Sequence, residues 1–369
     1  MKKYVTLGEV CTKGSSSIAQ KDIEQNNGSY GIYGASGYIK DVDFYHQDKP
    51  YIAVVKDGAG IGRTMLLPEK TSVIGTMQYL IPKDNVCVEY LYYAVTYMNL
   101  AKYFSGATIP HIYFKDYQKE KLPLLTIEEQ RKIADNLRQI DRLIELCNGI
   151  LQKLGVLVKS RFVEMFGDLI ENDRQWENHL LCNIADIVSG ITKGRKVKET
   201  ELIEVPYMAV SNVKDGYIDW TTVKTILATV SEIEQYRIQP EDILMTEGGD
   251  PDKLGRGAII HQVPENCIHQ NHIFRVRLDE AIILPLYFSE YLQEQKAKRY
   301  FFSCAKQTTG IASINMKQLK ALPVLVPPLA LQEQFAAFVE QTDKSKLAVK
   351  RVLEKAETLK KALMQEYFG

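Results

Sequence analysis

Tyr33, Ser36, Lys56, Arg63, Ser105, Thr108 and His111 fall on or beside three glycine-marked segments, Tyr33-Gly-Ala-Ser-Gly37, Gly58-Ala-Gly-Ile-Gly-Arg63 and Ser105-Gly-Ala-Thr-Ile-Pro-His111. Glycine presents backbone N–H groups there at low steric cost. In the second half of the chain Thr192, Lys193, Arg195 and Lys196 crowd the run Ser189 to Lys198. Lys253 and Arg256 share another glycine loop, and Lys306, Gln307 and Thr308 lead to Gly310. Such side chains suit a nucleic acid: Lys and Arg neutralise phosphates, while hydroxyl, amide and imidazole groups reach base edges. His269-Gln-Asn-His272 has the same chemistry but runs into a strand, so His272 reads as structural. For each of these residues, plain turns and a solvated charge run are the competing reading.

Catalytic patterns are missing. Asp250-Pro-Asp-Lys253 lacks the separated carboxylates of a metal nuclease, and no G-x-x-x-x-G-K-[ST] loop occurs. No Asn/Asp-Pro-Pro-Tyr/Phe segment, the mark of adenine methyltransferases, is present, and His111 and Cys304 have no triad partner at motif spacing. Six cysteines without a C-x-x-C pair argue against zinc and against a disulfide scaffold, leaving buried free thiols. We therefore expect no catalytic residue, no metal and no cofactor. Forty-six basic and forty-six acidic residues cancel, so nucleic-acid binding has to rest on local features, and the isolated chain should bind weakly. The longest apolar runs fall short of the ~20 residues that cross a bilayer. Polar residues interrupt the start, which does not read as a signal peptide, so a cytoplasmic protein is expected.

These loops need a scaffold, and internal repetition reveals one. A gapless shift aligns residues 112–167 with 314–369, matching Lys115/Lys317, Gln130/Gln332, Asp141/Asp343, Lys153/Lys355 and Phe166/Phe368. Thirteen positions are identical, where chance gives roughly three or four. Upstream the match loosens, but the order persists in Gly62-Arg63/Gly255-Arg256, Tyr103-Phe104/Tyr300-Phe301 and Gly106/Gly310. Ile133, Leu137, Ile140, Ile144, Cys147, Leu151, Leu154 and Val158 alternate by three and four, the seam of a coiled coil. The second copy carries Phe335, Phe338, Thr342, Ser345, Val349, Val352, Ala356, Leu359 and Leu363 on the same spacing. A one-striped helix needs a partner, and its own duplicate packed antiparallel is the nearest. The expected fold is α+β: two similar domains, 1–125 and 168–327, separated by two long helices, 126–167 and 328–369, paired as an antiparallel coiled coil with pseudo-twofold symmetry. Each helix would be a rod of ~60 Å at ~1.5 Å per residue. A tyrosine-rich helix over 89–104, with a counterpart at 285–302, completes each domain.

With the repeat and the loops in hand, the whole chain resembles the specificity subunit of Type I restriction-modification systems. The carriers are Tyr30-Gly-Ile-Tyr-Gly-Ala-Ser-Gly37, the glycine loop ending at Arg63, the segment Ser105 to His111, and the helix start Leu122-Pro-Leu-Leu-Thr-Ile-Glu-Glu-Gln130. In the second half they are the segment Thr246 to Gly257, Gln270-Asn-His-Ile-Phe274, Thr309-Gly310 and Leu325-Val-Pro-Pro-Leu-Ala-Leu-Gln332. One departure is Leu125-Thr126, where the family often has the proline pair kept as Pro327-Pro328. The resemblance implies two target-recognition domains, each reading half of a bipartite double-stranded DNA sequence. It implies helices that dock two modification subunits, which methylate adenine, and restriction (motor-nuclease) subunits as further partners. Two readers on a stiff strut would contact half-sites about one helical turn, ~34 Å, apart, and linking them multiplies two modest affinities. Two rival readings are a self-sufficient methyltransferase or nuclease with a drifted motif, and a coiled-coil scaffold that binds protein alone.

Overall fold

The computed structural model describes residues 3–106, 110–196, 201–249, 254–308 and 311–369, without the side chains of 307, 308 and 311. The chain forms two compact units, Met1–Ile150 with Ala348–Gly369, and Leu151–Leu347. Each unit therefore contains a mixed domain, part of one long helix and part of the other, rather than a linear stretch of sequence.

In the first unit the strands Cys11–Ser15, Met77–Pro82, Tyr51–Val55 and Thr64–Leu67 form an antiparallel sheet in that order. Side chains along a strand alternate between faces, and both faces of Tyr51–Val55 are covered. Ile52 and Val54 join Tyr90, Leu91 and Val95 of the helix Val88–Tyr97. Tyr51, Ala53 and Val55 join Ile32, Val42 and Val73 of a smaller sheet on the other side. That sheet has the order Gly37–Val42, Tyr30–Gly34, Ser72–Val73, its last pair parallel. The expected tyrosine-rich helix is shorter than its pattern because Asn99 takes a left-handed φ of +49° and starts a separate turn at Leu100–Tyr103.

The second unit repeats this topology strand for strand. Ala185–Ser189, Ile273–Leu278, Ile243–Thr246 and Gly257–Ile259 make the larger sheet. Lys224–Ala228, Ile203–Met208 and Ile268–His269 make the smaller one, again with its last pair parallel. Ile243 and Met245 pack towards Tyr287 and Phe288 of the helix Pro285–Gln293, and Leu244 packs the other way. A further small sheet of Gly248–Gly249, Ile311–Ser313 and Lys306–Thr308 belongs to this unit.

The long helices span Ile127–Phe166 and Leu329–Phe368. The first starts with a capping box: Thr126 N and Oγ1 donate to Glu129 Oε2 at 2.9 and 2.8 Å, and Glu129 N donates back to Thr126 Oγ1 at 3.3 Å. The second starts just after Pro327-Pro328, so the departure noted in the sequence exchanges one helix start for another. Gly167 ends the first helix at φ +76°, its N–H donating to Val163 O at 2.8 Å. In the first unit the beginning of the first helix lies with the end of the second, Ala134 and Leu137 sharing a core with Met364 and Phe368. In the second unit Val158, Phe162 and Phe166 share a core with Phe335 and Val339, the ring centroids of Phe162 and Phe335 being 5.3 Å apart. Start against end in both units is the antiparallel sense. Burying each of these phenylalanines contributes roughly 1.5–3 kcal/mol.

The observed seam corrects part of the expected one. Leu137, Ile140, Cys147, Val158 and Phe335 are buried, and Ile133, Ile144, Leu151, Leu154, Val349 and Leu363 are half-buried. Val352 and Leu359 are exposed, at 44% and 51%. Their places are taken by the next residues, Leu353 and Lys360, both half-buried. Lys360 Nζ reaches Asp141 Oδ1 at 2.5 Å, so a cation completes the stripe. The cysteines are all free; Cys11, Cys147 and Cys267 are buried, but Cys182 is exposed, against the expectation that all would be.

Candidate nucleic-acid interface

Two glutamines matched in the sequence repeat tie each long helix to its domain. Gln130 is fully buried; its Oε1 accepts from Cys87 N at 2.8 Å and its Nε2 donates to Asn85 O and Leu125 O at 3.3 and 2.9 Å. Gln332 is equally buried and does the same with Leu284 N, Ile282 O and Pro327 O at 2.8, 3.1 and 2.8 Å. Backbone groups left over between helix start and domain are thereby satisfied. Tyr90 and Tyr287 add matching bonds to Pro123 O and Leu325 O, both 2.8 Å.

On this base the first unit gathers its candidate loops. Ile112 N donates to Lys56 O at 2.9 Å, Lys56 N to Thr76 O at 3.0 Å and Gly58 N to Pro110 O at 2.9 Å. Ser105 and His111 pair through their backbones at 2.8 and 2.9 Å. His111 Nδ1 lies 2.7 Å from Asp57 Oδ1, and Lys56 Nζ lies 3.7 Å from Asp57 Oδ2. The His111 ring stacks on Tyr113, which is exposed, as is Phe104. Arg63 is exposed and donates from Nη1 to Ala35 O at 3.1 Å, which brings the glycine loop to the turn carrying Ser36. Ser36 is exposed, and Tyr33 is half-buried edge-on to Tyr38 at 5.8 Å. Gly62 is needed here: at φ +78° a Cβ would sit 2.4 Å from Ala101 N. Thr108 lies outside the described residues.

The second unit forms the same junction. Ile314 N donates to Glu247 O at 2.8 Å, Glu247 N donates to His272 O at 3.0 Å, and Gly248 pairs with Ser313. Lys306 is exposed on the neighbouring strand. Thr192, Lys193 and Lys196 are exposed on the basic loop. Arg195, expected to face a nucleic acid, is committed elsewhere: Nε and Nη2 contact Glu232 Oε1 and Oε2, each at 2.5 Å, and Nη2 donates to Leu227 O at 3.0 Å. This bidentate pair holds the Glu232 carboxyl below its ordinary range. Arg256 is half-buried, and its buried Nε has no hydrogen-bond partner among the described residues. Gln307 and Thr308 sit on Lys306–Thr308, but their side chains, like the whole of Lys253, lie outside the described residues. His272, expected to be structural, is paired and open to solvent. Its side chain is 56% exposed, with Nδ1 2.6 Å from Glu247 Oε2. The buried histidine is His269, whose Nδ1 and Nε2 face Tyr236 O and Val188 O at 3.0 and 3.3 Å. Burial pushes it down to about 4. Sequence reasoning missed Asp57 and Glu247; their signal is a carboxylate just past the central strand of each unit.

Among the described residues no group of three or more His, Cys, Asp or Glu could hold a metal ion. None of the helices there is long and apolar enough to cross a membrane.

A duplicated fold with unlike side chains at one shared junction is the pattern to compare with known proteins. The family profile described as the Type I restriction modification DNA specificity domain matches residues 2–155 and 174–358. The chain belongs to this family. The Type I restriction enzyme EcoKI specificity subunit of Escherichia coli strain K12 is 22% identical over 344 residues, covering 89% of this chain and 69% of that one. The MjaVIII specificity subunit of Methanocaldococcus jannaschii is 24% identical over 340 residues, covering 85% and 77%. The crystal structure of the S subunit of a Type I restriction-modification system from M. genitalium matches with a TM-score of 0.64 at 18% identity, covering 100% of this chain and 96% of that one. That likeness concerns the fold. As a Type I specificity subunit, the chain has a DNA-recognition role, and catalysis is not part of it.

Proposed function

We propose that each compact unit reads one half of a bipartite double-stranded DNA target and that the long helices dock two modification subunits that methylate adenine, in the cytoplasm, with restriction subunits as further partners. The observation that carries this reading is the repeated junction: one backbone scaffold, Lys56–Thr76–Ile112 in the first unit and Glu247–His272–Ile314 in the second, with different side chains on it. A repeated frame with changed readers suits two unlike half-sites. Arg63, Lys56, Lys193, Lys196 and Lys306 supply phosphate contacts that set register, and Ser36, Ser105, Thr192 and the imidazoles of the half-buried His111 and the exposed His272 supply hydrogen bonds. Thr108, Lys253, Gln307 and Thr308 remain proposed contacts on sequence grounds.

Leu143, Leu146, Val156, Leu157 and Val163 of the first helix and Leu347, Val352 and Leu359 of the second are exposed apolar residues outside the seam. They suit the docking of partner helices. Fluorescence anisotropy of labelled duplex, with the chain alone and with its modification subunit, tests the reading. Weak binding alone and tight binding on assembly are expected. Methyl transfer by the purified chain alone, or no gain in affinity on assembly, would contradict it.

A further inference from the structure

The junction holds an acid–imidazole pair in each unit, and the two pairs use different positions of the frame. Asp57 pairs with His111 through an antiparallel bridge, and the equivalent bridge in the second unit joins Gly248 and Ser313, which carry neither group. There the acid has moved by one residue and the imidazole to another segment: Glu247 and His272 stand where the first unit has Lys56 and Thr76, as the two matching 3.0 Å backbone bonds establish. The contacts are alike, Nδ1 lying 2.7 Å from Asp57 Oδ1 and 2.6 Å from Glu247 Oε2. A carboxylate beside DNA works against the phosphates, and the His272 side chain is 56% exposed.

An imidazole that donates Nδ1–H to a carboxylate has its tautomer set, and the neutral ring then offers Nε2 as an acceptor. His111 Nε2 has no partner among the described residues, and His272 Nε2 has only a long contact with the Asn271 amide nitrogen at 3.5 Å. His272 also lines an open cavity of about 340 Å³ with Val210, Glu247, Gly248 and Ser313. In the major groove the groups that donate to such an acceptor are the exocyclic amines, N4 of cytosine and N6 of adenine.

We propose that His111 and His272 are specificity-determining residues, one for each half-site, each accepting at Nε2 from the exocyclic amine of a cytosine or adenine, with Asp57 and Glu247 as positioning residues. This rests on the reading that each unit contacts one half-site. The test maps methylated adenines in a host carrying the assembled system, for the wild type and for His111→Phe, His272→Phe, Asp57→Asn and Glu247→Gln. Each phenylalanine variant should lose discrimination, by roughly tenfold, at one cytosine or adenine of one half-site, a different half for each. The amide variants can donate to Nδ1 or accept from it, so the tautomer is no longer set; discrimination at that position against guanine or thymine, whose groove edges accept, should fall. If a phenylalanine variant fails to assemble, the amide variant of the same pair decides by the same readout. A wild-type motif in these variants, or fewer methylated sites with every position still discriminated, overturns the proposal. A wild-type motif without two separated halves would instead sink the half-site reading beneath it.

Discussion

Replacing Gln130 by Leu removes the clamp between the first long helix and its domain while keeping a side chain of similar length. Three hydrogen bonds are lost, and Cys87 N, Asn85 O and Leu125 O are left facing an apolar group. Each orphaned buried group costs about 1–3 kcal/mol, and the added apolar burial of leucine offsets about 1 kcal/mol of the sum. A net loss of about 2–8 kcal/mol follows, and its lower end, the one that suits part-buried groups, lowers the Tm of a unit of this size by about 4–8 °C. Gln332→Leu should cost the second unit a similar amount, since its three partners are equivalent. Calorimetry and urea titration of the wild type and both variants measure this. Gln130→Glu serves as a control: it can still accept from Cys87 N but cannot donate to the two carbonyls, so it should not restore wild-type stability. A Tm within about 2 °C of the wild type for either leucine variant would refute the idea that these amides join helix to domain.

Gly62→Ala should destabilise the first unit by more than about 2 kcal/mol, because the left-handed backbone and the contact at Ala101 N both oppose a Cβ; chemical denaturation checks it. His269 has its folded pKa depressed from 6.5 to about 4. The stability this gives is complete above about pH 6.5 and is lost as the pH falls towards 4, by roughly 3 kcal/mol; urea titrations at pH 7, 5.5 and 4 should show less of this fall in His269→Gln. Arg195→Ala should cost about 1–3 kcal/mol through the orphaned Glu232 while leaving the salt slope of DNA binding unchanged, whereas Lys193→Ala and Lys196→Ala should each lower that slope by about one. Leu359→Glu should leave stability within about 0.5 kcal/mol of the wild type yet weaken association with the modification subunit in size-exclusion chromatography.

The duplication was legible because the long helices align without a gap, and their starts repeat the buried glutamine. Strand order was not, since the parallel neighbours Tyr30–Gly34 and Ser72–Val73 are joined through residues far apart in sequence. The second seam was misplaced by one residue on one side because apolar residues flank it in pairs. Val352 sits beside Leu353, and the position after Leu359 is filled by Lys360, whose ion pair with Asp141 no hydropathy pattern anticipates. Within the site, glycine loops marked the right segments, because tight turns require that residue. Partners across the fold stayed hidden: nothing near Arg195 points to Glu232, and nothing near His272 points to Glu247. Those pairings decide which cation is spent on structure and which imidazole is turned outward.

The most direct test of two unlike readers on one duplicated frame is a genome-wide map of methylated adenines in a host with and without this gene. The expected result is a motif present only with the gene, made of two different half-sites separated by a gap of constant length. A single uninterrupted motif, or methylation that does not depend on this gene, would contradict it.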